Sequence, residues 1–314
     1  MSWSPNISEL IPCCQPNAAS VAPFVRSAIE PRIIFSIDVE DWFHILEVES
    51  VQSTSVWEQL PSRVEHNFHL LLDLLAERNA HVTCFFLGWI GERFPHLVRE
   101  AVRRGHEIAS HGFAHRLVWQ MSEEEFYQDA VRSKKLLEDI SGTAVVGYRS
   151  PGFSLTRKTP WFFPRLTSAG YHYDSSIFPA PRAHGGVPDG CQIPYAIGKE
   201  SSRIVEFPVS VAHIGSKSFC FFGGGYLRLS PYWLIQRMAK QVVDSGRPLI
   251  FYIHPREIDP NHPRLQMNWV RQFKSYVNLR GTESKLRQIL NDFPATTFQK
   301  YLEYHDFHNL RSAA

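Results

Sequence analysis

The sequence contains no apolar run long enough to cross a bilayer; its best stretch, residues 82–91, falls well short of the ~20 residues a spanning helix needs. It has almost no net charge. Thirty-three Lys+Arg against 31 Asp+Glu leave +2, which excludes a nucleic-acid binder running on bulk charge and a polybasic membrane anchor. Cysteine is sparse and unpatterned: the five residues Cys13, Cys14, Cys84, Cys191 and Cys220 form no CxxC or metal-knuckle spacing. Such an odd set reads as free thiols in a reducing compartment. The amino terminus holds no basic segment followed by an apolar core, so no secretory signal is expected and the chain is assigned to the cytoplasm. Internal repeats and low-complexity tracts are absent too.

What the chain does have is material for a core. It is 44% hydrophobic, with 22 Phe, 11 Tyr and 8 Trp, which rules out global disorder. Its 314 residues suit one large domain or two small ones. Residues 1–30 are rich in Ser, Pro and Asn and read as an N-terminal extension. The stretch 31–260 carries the regular elements, and 261–314 reads as a C-terminal extension packing on the same domain. Strands are predicted at 32–38, 81–87, 105–110 and 145–148, with helices at 61–79, 95–104, 122–140 and 159–169 between and after them. The helix at 122 opens on a capping box, Ser122 with Glu125 three residues later. After a Pro/Gly-rich loop (179–194) come a strand at 204–211, a glycine run at 223–225, a helix at 231–245 and a last buried strand at 248–253. A final amphipathic helix covers 283–290. Strand followed by helix, repeated, implies parallel strands with right-handed crossovers, in a barrel or a doubly wound sheet.

Enzymes of both architectures hold reactive groups at the carboxyl ends of their strands. Here those ends are polar and specific. The first strand stops at Asp38-Val39-Glu40-Asp41 and the third at His111-Gly-Phe-Ala-His115. The fourth stops at Arg149-Ser-Pro151-Gly152 and the last at His254-Pro-Arg-Glu257. Two imidazoles four residues apart can reach a common ion, and a carboxylate from another strand end would complete a two-histidine, one-carboxylate site with open positions for water and substrate. Fifteen histidines make chance pairs common, so the pattern by itself is weak. For Asp38 alone, a helix cap or a buried partner of Arg149 is the plainer role.

Taken in order, these blocks, with Val82-Thr-Cys-Phe-Phe86 and Tyr173-Asp174-Ser-Ser-Ile-Phe-Pro179 between them, resemble the polysaccharide deacetylase family (NodB-homology, carbohydrate esterase family four) over about residues 32–256. The Gly223-Gly-Gly-Tyr-Leu-Arg228 segment, the run from His254 to Pro260 and the tail around Tyr276 resemble a branch associated with bacterial exopolysaccharide biosynthesis. The resemblance implies an α/β fold, a distorted (β/α) barrel with seven strands. It also implies a hydrolase that removes N-acetyl groups from the amino sugars of a bacterial polysaccharide or its precursor. The alternatives on the same fold are a hydrolase of a small amide or of a nucleotide- or lipid-linked sugar, and a carbohydrate-binding protein without turnover.

The roles come from the same resemblance. Asp38 would be the base, Arg149 would orient it, and His254 would be the general acid. One divalent ion, with zinc the first choice, would sit on His111, His115 and an acid from the first block. The family pairs adjacent aspartates there, whereas this chain spaces Asp-Val-Glu-Asp, so Glu40 and Asp41 both stand as candidates, with Glu40 preferred on strand alternation. Trp42, Pro151, Gly152 and Asp174 would line or support the substrate site. The partner would be an N-acetylated saccharide, with neither nucleic acid nor a membrane span involved and homo-oligomerisation left open.

Overall fold

The computed structural model describes residues 10–11, 33–198 and 203–305. The extension expected at 1–30 and the Cys13–Cys14 pair therefore lie outside the described residues, apart from Leu10 and Ile11, which are buried. Strand β1 (Ile33–Val39) is apolar and β-branched, and every one of its residues is buried. It lies between β10 (Ile250–Ile253) and β2 (Thr83–Phe86), and the sheet continues through β3 (Glu107–Ser110), β4 (Gly147–Tyr148), β5 (Tyr173–Asp174) and β7 (Ile204–Glu206). All six of these ladders are parallel. β6 (Tyr195–Ile197) closes the far edge antiparallel, and β11 (Ala295–Thr296) pairs with β1 beside β10. The expected count of seven is exceeded: β11 is a further parallel strand and β6 an antiparallel one, so the sheet has nine strands among the described residues. A separate antiparallel pair, β8 (Ala212–Ile214) with β9 (Lys217–Phe219), stands apart from it.

Helices α1 (Val64–Ala76), α2 (Pro95–Arg103), α3 (Glu123–Ser141) and α4 (Phe162–Ser168) fill the first four crossovers. The capping box at the start of α3 is present: Ser122 Oγ accepts the Glu125 N–H, and the Glu125 carboxylate accepts the Ser122 N–H. Gly142 ends that helix in the left-handed conformation at φ 67°, where a side chain would be strained. α5 (Tyr232–Asp244) precedes β10, and α6 (Trp269–Tyr276), α7 (Thr282–Asp292) and α8 (Phe298–Tyr304) follow it.

The sheet curls about a small interior of Ile34, Phe85, Ala109, Tyr173, Val205, Phe207 and Ile250. Phe298 of α8 plugs it from below, stacked on Tyr173 at 5.3 Å between ring centroids and fully buried, a placement worth about 1.5–3 kcal/mol. At the seam between β10 and the segment after β7 there is no regular ladder. Ser210 bridges it, its hydroxyl donating to the Pro248 carbonyl and accepting the Ile250 N–H. Gly223 continues the seam along β10, paired with Tyr252. A Cβ on Gly223 would fall 2.1 Å from the Tyr252 ring, so only glycine admits that close approach. The run 223–225 is thus a seam element leading into a short helix, Gly224–Leu229.

Cysteine chemistry departs from the expectation of free thiols throughout. Cys84 and Cys220 are free and buried, but Cys191 is disulfide-bonded, with a partner that lies outside the described residues. Among the described residues no helix is long and apolar enough to cross a membrane.

Candidate metal and catalytic site

Strand register brings the polar strand ends together. Ile37 pairs with Ile253, so the next residues, Asp38 and His254, stand side by side. Ser110 pairs with Tyr148, which sets His111 beside Arg149. Tyr148 pairs with Asp174, which sets Arg149 beside Ser175. Along β1, alternation points Ser36, Asp38 and Glu40 to one face, and Arg149 confirms that face by donating to Ser36 Oγ at 2.8 Å and Asp38 Oδ1 at 2.6 Å.

Arg149 is wholly buried. Its guanidinium lies 4.1 Å from the centroid of Phe85 and donates to the carbonyl and hydroxyl of Ser175. A buried cation of this kind is tolerable only with its donors satisfied. The pair therefore fixes Asp38 in direction, leaving Oδ2 facing His254 Nε2 at 3.8 Å.

Glu40 lies one step further along the same face. Its Oε1 is 3.1 Å from His111 Nε2 and 2.9 Å from His115 Nε2, all three groups buried. The His111 Nδ1 lies 2.8 Å from the Arg149 carbonyl; a carbonyl can only accept, so Nδ1 carries a proton and Nε2 is the nitrogen turned towards the cluster, where it can serve as a ligand. His115 adopts a left-handed backbone, φ 52°, after Gly112, and that turn carries its ring back beside His111, 5.5 Å between centroids. Burial pushes the Glu40 carboxyl up, yet the histidines around it, His115 and His254 foremost, outweigh that and hold it well below the usual range.

The donor set fits a divalent ion. Two imidazole nitrogens and one carboxylate oxygen lie within 4.8 Å of one another. His115 Nε2 is buried and, although it lies 2.9 Å from Glu40 Oε1, makes no well-aligned hydrogen bond, an arrangement that an ion between the two would satisfy. The second nitrogen of His111 is held by a backbone carbonyl, as metal-binding histidines commonly are.

Asp41, the other acid considered for the ion, turns away from this cluster. Its carboxylate accepts the N–H groups of Trp42, Arg63 and Val64 and the Ser62 hydroxyl at 2.5 Å. It works as the clasp that starts α1, because alternation sends it to the opposite face from Asp38 and Glu40. Trp42 is likewise no open platform for a sugar: it is 4% exposed, its indole N–H donating to the Pro61 carbonyl. Asp174 is fully buried beneath the site, where Ser176 donates to it and Glu206 is its carboxyl neighbour. It touches neither His254 nor the open end of the barrel. Pro151 and Gly152 form a tight turn two residues after Arg149, Gly152 at φ 63°, and the turn's own hydrogen bonds come from the N–H groups of Phe153 and Ser154.

Sequence reasoning did not find Glu257. Its Oε2 accepts the His254 backbone N–H and lies 3.3 Å from His254 Nδ1, while Oε1 meets Arg228 at 3.0 Å. Burial raises its pKa, but Arg228 and His254 outweigh this and draw it down to about 2. For His254, burial pulls the pKa down, and Glu40 and Glu257 more than compensate, leaving it above its ordinary value. A Glu three residues past a strand-end histidine, with an Arg just after the glycine run, was the available signal.

A curled parallel barrel with a carboxylate, two histidines and a buried Asp–Arg pair at its carboxyl ends defines a class of α/β barrel with a metal-type site. The comparisons make this specific. Residues 56–173 match the family model Polysaccharide deacetylase, and residues 175–303 match a second model, described as a domain of unknown function, DUF3473. Over residues 56–173 the chain thus resembles the polysaccharide deacetylase family, the NodB-homology type of carbohydrate esterase family four. It is 29% identical over 92 residues to a peptidoglycan-N-acetylglucosamine deacetylase of Bacillus cereus, covering 29% of this chain and 34% of that one. To a peptidoglycan deacetylase of Helicobacter pylori it is 28% identical over 107 residues, 34% of this chain and 36% of the other. The matched region thus spans about a third of the length of these curated relatives. In structure, a Mycobacterium smegmatis protein assigned as a polysaccharide deacetylase superposes with a TM-score of 0.60 at 19% identity, covering 93% of this chain and 97% of its own. The Puue allantoinase superposes at 0.55 with 14% identity, covering 92% and 90%. At such identities the likeness is one of fold.

Proposed function

We propose that this chain is a metal-dependent N-deacetylase acting on the amino sugars of a bacterial polysaccharide or its precursor, with exopolysaccharide as the substrate class. One observation carries the reading: Asp38, Glu40, His111, His115, Arg149 and His254 gather at one end of the barrel, each with a polar atom within 3.8 Å of another of the set. The match of residues 56–173 to the polysaccharide deacetylase model and the names of the relatives support it.

An amide is a poor electrophile with a poor leaving group, so its hydrolysis needs an activated water, a home for the oxyanion and a proton for the amine. A divalent ion held by Glu40, His111 and His115, with zinc favoured by the mixed N/O ligands, supplies an acidified water and a polarised carbonyl when bound. Asp38, its Oδ1 tied to Arg149, keeps Oδ2 free to accept the proton of the attacking water. The Gly152 N–H stands ready to donate to the oxygen on which negative charge develops. His254, its pKa lifted by neighbouring carboxylates, donates to the departing amine. Each group is positioned by strand register before substrate arrives, which is the condition for such donors to be effective.

The test is acetate release from N-acetylated glucosamine oligomers, measured before and after chelation and again on readdition of zinc. Chelator-sensitive release that His111→Ala abolishes is the expected result. Undiminished release from a variant lacking both His111 and His115 would refute the reading.

A further inference from the structure

A cleft of about 680 Å³ opens between the segments 156–161 and 182–189, with none of Glu40, His111 or His115 in its lining. Its floor and walls are chemically uneven. Trp119 is 45% exposed and held by its indole N–H on the His184 carbonyl, and Trp161 is half-buried nearby. Arg157, Lys158 and Arg182 line it against the carboxylate of Asp189. His184 is drawn off towards Glu47, 3.1 Å away.

Two features show that these cations are placed rather than scattered. Arg182 Nε is buried with no hydrogen-bond partner, although its guanidinium is fixed against Phe153 and Phe178, 4.9 and 4.8 Å from the ring centroids. Arg157 meets the Asp189 carboxylate at 2.9 Å, so the cleft already holds a carboxylate by a guanidinium. The cleft also joins the catalytic turn: the segment around Gly185 packs so closely on Phe153 that a Cβ there would lie 2.7 Å from its carbonyl. A flat aromatic with cations around it suits a pyranose that carries negative charge, with the ring stacked on the indole and the anion met by guanidinium and ammonium groups.

We propose that this cleft binds a carboxylate-bearing sugar of the chain flanking the residue to be deacetylated, so that the protein prefers an acidic polysaccharide. This rests on the deacetylase reading, and the test separates the two because it measures binding without turnover. Calorimetric titration of the full chain would compare a galacturonate hexamer, a neutral N-acetylglucosamine hexamer and a phosphorylated maltohexaose. The galacturonate hexamer is expected to bind at least about tenfold more tightly than the neutral one, with a Kd that rises with salt. Lys158→Glu and Trp119→Ala should each weaken it about tenfold, while Lys240→Glu, on the distant exposed face of α5, leaves it within about twofold. Equal binding of acidic and neutral hexamers, equal or tighter binding of the phosphorylated sugar, or unaltered affinity in both cleft variants overturns the proposal. Loss of affinity in Lys240→Glu as large as in Lys158→Glu also overturns it, by reducing the effect to overall charge. Absent acetate release with intact galacturonate binding would instead strike the catalytic reading alone.

Discussion

Replacing Glu257 by glutamine asks whether His254 works as a proton donor. The carboxylate lies 3.3 Å from His254 Nδ1, and an opposite charge at that range typically shifts a pKa by about 1–3 units. Donation requires the imidazolium, so hydrolysis of an amide falls as pH rises through the His254 pKa. Glu257 raises that pKa, and removing its charge must lower it. The basic limb of kcat is therefore expected to move down by about 1–3 pH units, while the two enzymes converge at lower pH. Glutamine keeps an oxygen to accept the His254 backbone N–H, which preserves the local turn. The other partner of Glu257 is the buried Arg228, 3.0 Å away, and breaking such a pair costs about 3–5 kcal/mol. Melting temperature must accordingly be followed, and the kinetics run well below it. An aryl acetate serves as the internal control, because its leaving group needs no proton and its limb should hardly move. An unmoved limb on the amide, or an equal displacement on the ester, would refute the role given to His254.

Three further outcomes are expected. Asp38→Asn should keep its metal but lose about 10²–10⁴-fold in kcat on a small N-acetylated sugar; metal content by elemental analysis and acetate release together check it. Glu40→Gln should sharply weaken metal affinity in a chelator competition, whereas Asp41→Asn should leave affinity alone and cost about 0.5–2 kcal/mol in denaturant unfolding, the usual worth of a helix-start acceptor. Glu206→Gln should flatten the pH dependence of stability. Burial raises Asp174 to about 6 and, together with Asp174 itself, lifts Glu206 well above its ordinary value. Both folded pKa values are thus above the unfolded ones, so the stability they confer is complete below about pH 4 and falls as pH rises, the share of Asp174 being lost through about 6; calorimetry at pH 4 and 8 should show a smaller fall in the variant.

The parallel fold was readable in the sequence because its strands are short apolar runs between strongly periodic helices. The box at Ser122 and Glu125 appears in the structure as its spacing predicts, and the sharp stops into Asp38, His111, Arg149 and His254 mark strand ends. Alternation along β1 was enough to separate the faces of Glu40 and Asp41. The hidden features are those that depend on distant partners. Trp42 follows the acids and looked like a sugar platform, but the Pro61 carbonyl and the aromatic cluster around Phe43 claim it. Asp174 lies in a family block, yet its carboxyl meets Glu206 from β7, a pairing that only the ladder of β5 with β7 reveals. Helix α6 escaped notice because Trp269, Val270 and Phe273 are exposed, which inverts the pattern by which a buried face is recognised. The paired state of Cys191 was invisible for the same reason: spacing alone says nothing about which sulfur comes near.

The arrangement also explains why Asp38 and His254 occupy adjoining strands beside the barrel's least regular place. Asp38 and His254 are level because Ile37 pairs with Ile253, and the spacing of neighbouring strands, about 4.8 Å, sets their separation before any side-chain adjustment. A slip of one residue in that ladder would turn Asp38 or His254 to the opposite face. On its other edge β10 lacks a full ladder to correct such a slip, having only Ser210 and the Phe222–Gly223 backbone. Register on this strand is therefore held mainly by β1 and by the turn after His254. There Glu257 grips the His254 N–H and Arg228 grips Glu257, while Arg228 donates in turn to the carbonyls of Lys274 and Ser275. The chain beyond residue 260 thus reaches His254 through two buried charges. Weakening that anchor at Arg228 should loosen His254 before it disturbs Glu40, His111 and His115, whose positions depend on ladders further round the sheet.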